Sequence, residues 1–263
     1  MVKNVAIASL ARVIRAHPRV EAIGLSGRPF PETGGDWDIF VYCSEPLSPD
    51  ERFALLEPCD EKPGKLSVQV LSGGYWGNAD YCLFRGTDTW LMYFTSQEAQ
   101  TEVETYLQAP YLDRLQGSFY PTGRLGMWQH MTALYDPYGF LKHMKTRVSP
   151  YPEILARGNT NYHVQALEDT ENLERAVTRQ DVLFYHFSLD EAIDHFLQAL
   201  FALNRVYFPS RKRTQAYLQG FRLKPDDCEQ LLLESVRLGA CAEGLGDSLV
   251  LWQQLVAWLS RQV

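Results

Sequence analysis

Hydrophobic and polar positions change their period partway along the chain. Between residues 20 and 94, short apolar and β-branched runs alternate with turn residues, whereas from about Glu98 apolar positions recur at three- and four-residue steps. The first is the habit of strands, the second of helices. VEAIGLS (20–26), WDIFVYC (37–43) and KLSVQVL (65–71) read as strands. YCLFRGTDTWLMYF (81–94) reads as more strand, with a hairpin about Arg85–Gly86. An amphipathic helix is predicted over Asn4–Ala16, ahead of Pro18, and another near Ser48–Leu56, where Ser48 caps the start before Pro49. In the later part, SLDEAIDHFLQALFALNRVYF (188–208) predicts a long helix opened by a Ser188/Glu191 capping box and stopped by Pro209. DDCEQLLLESVRLGA (226–240) and DSLVLWQQLVAWLS (247–260) supply two more. The expected fold class is α+β. A small α/β domain with a mixed sheet (1–115) precedes an all-helical bundle (116–263), with QGSFYPTG (116–123) as the junction.

Composition narrows the function without naming it. The 263 residues are 46% hydrophobic and 22% charged, ordinary for a soluble globular protein. No apolar run approaches the about 20 residues that span a bilayer. Arg12 and Arg15 interrupt the N-terminal apolar stretch, so it reads as a helix and not as a signal peptide. Five cysteines without a C-x-x-C pair argue against a zinc site or a disulfide framework, and buried free thiols in a reducing cytoplasm are expected. A net charge of −7 speaks against general nucleic-acid binding and is compatible with a cationic small substrate.

The chemistry concentrates in GGDWDIFVYC (34–43). Residues i and i+2 of a strand share a face, so Asp36 and Asp38 point together while Trp37 points away. A shared cation best offsets their repulsion, and carboxylate oxygens suit Mg²⁺, which keeps waters and phosphate oxygens in its shell. Just upstream, GLSGR (24–28) is a small polar turn leaving a buried strand. Its Ser26 hydroxyl and backbone N–H groups around Gly27 could hold phosphate oxygens. A phosphate cradle followed by a carboxylate pair is an arrangement for metal-assisted phosphoryl or nucleotidyl transfer.

These residues resemble the signature of the polymerase-β-like nucleotidyltransferase superfamily, which includes aminoglycoside and lincosamide nucleotidyltransferases. LSGRPFPETGGDWDIFVYC (25–43) is similar to its Gly-Ser turn followed by Asp-x-Asp. ALYDPYGFL (133–141) resembles a Leu-Tyr-Asp-Pro-x-Gly element, and residues 179–213 resemble the helical domain of the bacterial DUF4037 group. The resemblance implies that Ser26 and Gly27 contact phosphate, that Asp36 and Asp38 bind metal, and that Lys212 reaches nucleotide phosphates. Two departures stand out. The glycine follows the serine instead of preceding it. In GTDTWLMY (86–93), Trp90 occupies the position of the expected third carboxylate. Asp88, two residues earlier on the same strand face, is the substitute.

Other patterns say less. Arg-x₄₋₆-His, a mark of certain ribonucleases, is met by Arg12/His17, Arg124/His130 and Arg179/His186, too often to discriminate. SRKRTQAY (210–217) is a basic cluster that would be a solvated patch were it not for the resemblance. Asp136 reads as a turn cap, Asp181 as a helix cap or a cleft residue, and Asn204 as a structural amide. Tyr75, Trp76 and Trp90 could stack on a nucleobase, though aromatics more often fill a core. The expected activity is Mg²⁺-dependent transfer of a nucleoside monophosphate from an NTP, with ATP the expected donor, to a small-molecule hydroxyl such as one on an antibiotic. Asp36, Asp38 and Asp88 would be catalytic. The alternative is an inactive nucleotide-binding or protein-interaction module on the same fold.

Overall fold

A computed structural model of the chain describes residues 2–27, 35–59, 64–108 and 119–263. Most of the Gly- and Pro-rich loop after Gly27, and part of the expected junction at 116–123, lie outside these residues. The described residues divide into two compact units, one reaching from the N-terminus to Pro150 and the other from Tyr151 to Val263. The first is a mixed α/β unit and the second is all-helical, the expected pair of architectures in the expected order.

The first unit runs α1 (Val2–Ile14), β1 (Val20–Leu25), β2 (Trp37–Cys43), α2 (Pro49–Leu56), β3 (Ser67–Leu71), β4 (Asn78–Phe84), β5 (Thr87–Thr95), α3 (Ser96–Gln108), α4 (Pro121–His130), β6 (Thr132–Tyr135) and α5 (Phe140–Val148). Its six strands are ordered β3-β4-β5-β2-β1-β6. Only the β2–β5 pair among them is parallel, which makes the sheet mixed. The start of α2 follows the sequence closely: Ser48 and Glu51 complete a reciprocal capping box ahead of Pro49. β4 and β5 turn at Arg85 and Gly86, both with positive φ, the geometry of a tight two-residue hairpin.

Alternation along β2 sorts the two faces. Ile39, Val41 and Cys43 join Leu91, Tyr93 and the apolar side of α1 in one core, with Trp37 packed against it. Phe40 and Tyr42 face the other way, against Phe94, Trp128 and Phe140. On that side lies Arg124, 1% exposed. Its guanidinium stands 4.1 Å from the Tyr75 ring centroid, donates to the Tyr75 carbonyl oxygen and pairs with Glu102 at 3.0 Å.

These contacts explain why the division falls at Pro150 and not at 116–123. β6 adds a strand to β1, pairing Ile23 with Tyr135 and Leu25 with Thr132. The buried face of α4 closes over Phe40 and Phe94 through Arg124. A four-residue strand between two helices leaves little periodic signal, so the sequence pattern runs the helical region over it.

The second unit comprises α6 (Glu153–Ala166), α7 (Glu171–Arg179), α8 (Val182–Leu203), α9 (Thr214–Gly220), α10 (Cys228–Leu238) and α11 (Leu245–Ser260). The long helix begins earlier than predicted. Asp181 is the N-cap, its carboxylate accepting from the Phe184 N–H at 3.1 Å, while Ser188 is buried inside the helix. Asn204 ends it as a structural amide, donating to the Leu200 and Leu223 carbonyls and accepting from the N–H groups of Arg222 and Leu223. Cys43, Cys59, Cys82 and Cys228 are buried free thiols, and Cys241 is an exposed one. Among the described residues, no helix is long and apolar enough to cross a membrane.

Candidate functional site

The site is set by the register at the entrance of β2. Trp37 pairs with Thr89 and Asp38 with Trp90 across the parallel β2–β5 ladder. Asp36 and Asp88, the residues just before Trp37 and Thr89, therefore stand side by side. Both line one open cleft of about 720 Å³, together with Gly35, Tyr81, Gly86, Thr87 and Trp90. The sequence reading placed Asp88 at the site only as a substitute; the structure brings it to the same cleft as Asp36.

Asp38 lies one row further along β2, half-buried, and is not among the residues lining that cleft. On one side it has Trp90, and on the other its carbonyl accepts from the Ser26 N–H at 2.8 Å. Ser26 is thus fixed beside Asp38, but its N–H is engaged in extending the β1–β2 ladder. That leaves its hydroxyl as the group it could offer a ligand. Gly27 has a packing reason to be glycine: a Cβ there would fall 1.7 Å from the His130 carbonyl oxygen at the end of α4. Tyr75 is buried core, and its phenol is pushed up by burial, against the pull of Arg124, with Glu102 and Asp38 adding to the rise.

One contact in the cleft escaped the sequence reading. Tyr81 pairs across the hairpin with Trp90, their ring centroids 5.3 Å apart. Its hydroxyl reaches diagonally to donate to Asp88 Oδ1 at 2.5 Å. Diagonal neighbours on one face of an antiparallel pair lie within reach of an aromatic side chain. The Arg85–Gly86 turn, once taken as a two-residue loop, already implied this pairing.

Lys212 belongs to the helical unit, where its N–H donates to Ser210 Oγ at 3.1 Å. Arg211, beside it, is held by Asp190 and Asp194 of α8, so this part of the basic cluster is structurally engaged. Asp136 caps α5, its two carboxylate oxygens accepting from the N–H groups of Leu141 and Lys142. Arg124, from one of the Arg/His patterns, is buried and ion-paired.

The donor set can be tested against a divalent cation. Among the described residues, no group of three or more His, Cys, Asp or Glu is arranged to hold a metal ion. Asp36 and Asp88 supply hard oxygen ligands on one cleft, and its described lining carries no Lys or Arg. One or two carboxylates completed by substrate phosphates and water is how Mg²⁺ is commonly held. The residues fit Mg²⁺ arriving with a nucleotide and do not form a complete protein cage.

Residues 120–213 match the family model described as Domain of unknown function (DUF4037). The range takes in 179–213, the stretch that resembles this group in sequence, and also the Leu-Tyr-Asp-Pro-x-Gly element at 133–141. No curated protein matches the chain. A solved structure, that of a nucleotidyltransferase-like protein from Exiguobacterium sibiricum, is similar over 96% of this chain and 73% of its own, with a TM-score of 0.48 and 11% identity.

Proposed function

We propose that the chain is a Mg²⁺-dependent nucleotidyltransferase that moves a nucleoside monophosphate from an NTP, with ATP the expected donor, to a hydroxyl of a small-molecule acceptor. The observation that carries this reading is the convergence of Asp36 and Asp88 on one cleft from neighbouring parallel strands, with Asp38 next along β2. In the reaction, an acceptor oxygen bonds to the α-phosphorus, the bond from that phosphorus to the bridging oxygen breaks, and pyrophosphate leaves. Bound Mg²⁺ would neutralise phosphate charge and polarise the α-phosphoryl group. Asp36 and Asp38 would hold the metal–nucleotide complex. Asp88 would take the acceptor's proton or share in metal binding, and Ser26 would offer its hydroxyl to the phosphates. Lys212 is proposed as a phosphate contact on the resemblance alone, and Gly27 as the residue that lets the Ser26 turn lie against α4.

Calorimetry with ATP and Mg²⁺ tests the metal pair: Asp36→Asn/Asp38→Asn should lose most of the Mg²⁺-dependent affinity. Undiminished binding in that double variant would remove both residues from the site. Incubation with labelled ATP, Mg²⁺ and a library of hydroxylated metabolites and antibiotics, followed by pyrophosphate release, tests the transfer and searches for the acceptor. A second reading, an inactive nucleotide-binding module, is favoured by one feature, the pairing of Trp90 with Asp38 across the β2–β5 ladder. Tight MgATP binding without pyrophosphate release for any acceptor would support it.

A further inference from the structure

We infer that Tyr81 is a positioning residue that fixes one oxygen of Asp88 and leaves the other to serve the metal–nucleotide complex; the inference rests on the nucleotidyl-transfer reading. Asp88 is exposed, two residues past the Arg85–Gly86 turn of the hairpin, where an aspartate on its own would sample several rotamers. The Tyr81 hydroxyl removes that freedom with a 2.5 Å bond to Oδ1. Such a distance belongs to a charge-assisted bond between a hydroxyl and a carboxylate. Tyr81 is itself fixed. It is half-buried, its ring lies against Trp90, and the two-residue turn at Arg85–Gly86 sets the register of β4 on β5.

The same arrangement accounts for Trp90 at the place of the expected third carboxylate. Moved two residues along β5, the carboxylate stands beside Asp36 instead of Asp38. Trp90 then supplies the wall that holds the Tyr81 ring in reach of it. Partners that hold a ligating carboxylate commonly change metal affinity about 10–100-fold when removed.

The test is a Mn²⁺ titration of the full-length protein with ATP present, free Mn²⁺ being read by electron paramagnetic resonance. Tyr81→Phe keeps the ring and removes only the hydroxyl. It should weaken Mn²⁺ binding about tenfold while leaving metal-free ATP binding and thermal stability unchanged. The same substitution in an Asp88→Asn background should add little, because the two residues act through one bond. Unchanged Mn²⁺ affinity in Tyr81→Phe, or an equal further loss in the Asp88→Asn background, overturns the inference. No effect of Asp88→Asn on Mn²⁺ overturns it as well. In each of these cases the functional reading stands if Asp36→Asn/Asp38→Asn still abolishes Mn²⁺-dependent ATP binding. Absence of such binding in the wild-type protein sinks both.

Discussion

A buried ion pair holds β4 from the face opposite the cleft. Asp80, next to Tyr81, is fully buried and lies 3.2 Å from Arg52 Nη1, itself 1% exposed, while its Oδ1 accepts from the Gln69 N–H. Oδ2 has no hydrogen-bond partner; the Tyr93 hydroxyl is near enough to affect Asp80's ionisation without completing a bond. Burial dominates, so the Asp80 carboxyl is pushed up from 3.8 to about 6, against the pull of the Gln69 N–H and then Arg52. The protonated form is therefore the one that folding favours. That contribution, about 3 kcal/mol from the size of the shift, is complete below the unfolded value and is lost as pH rises through 6. Arg52→Met would strand an ionised Asp80 at neutral pH and should cost about 3–5 kcal/mol there. At pH 4.5, where Asp80 is largely protonated, the cost should be clearly smaller. Urea unfolding of the variant and the wild type at the two pH values decides; equal losses would mean that Arg52 acts by packing alone.

Among the elements, the contact between α6 and α8 carries a titration of opposite sign. His163, 2% exposed, meets His195 with 2.8 Å between their Nδ1 atoms, so one ring donates and the other accepts. The His163 Nε2 has no partner. A buried lone pair without a donor costs less than a buried N–H without an acceptor, which favours His163 as the Nδ1–H donor. Burial, with the neighbouring His195 adding to it, pushes His163 down to about 3. Here folding favours the neutral form. Its contribution is complete above the usual 6.5 and is lost as pH falls from there towards 3, amounting to about 3 kcal/mol by pH 4.5. His163→Phe removes the titrating ring, so the loss of helical-unit stability between pH 7.5 and 4.5 should be smaller in the variant. Parallel pH profiles for variant and wild type would assign the acid response to other groups. Elsewhere in this unit the Ser188/Glu191 pattern marks no helix start, because Asp181 caps the chain earlier and α8 continues through both residues. A local capping motif has force only where the backbone is free to begin.

For the whole molecule, the division at Pro150 makes a direct statement about fragments. Residues 1–150 should fold cooperatively, because they contain β6 for the β1 edge and α4 for the aromatic face of the sheet. Residues 1–115 would leave β1 as an open edge and expose Phe40, Tyr42 and Phe94, which invites aggregation. Soluble expression and a sigmoidal urea transition for 1–150, with aggregation or non-cooperative melting for 1–115, is the expected result. Comparable cooperative folding of both fragments would show that residues 116–150 are dispensable to the sheet.

The sequence alone determined the order of the two architectures, most strands and helices, and the hairpin at Arg85–Gly86. Each follows from periods, caps and turn residues that neighbouring positions impose on one another. It also placed Asp88 and Trp90 on one face of β5, since strand alternation needs no partner. Only the tertiary structure decided that β5 lies parallel beside β2 in the register that brings Asp88 to Asp36 and Trp90 to Asp38. It likewise assigned the strand 132–135 to β1 and buried Arg124 against Tyr75. Pairing between strands distant in sequence is chosen by which faces must be covered, and that choice is made by the whole unit: helix α4 seals one face of the sheet, α1 and α2 the other, and the register at the cleft follows from both.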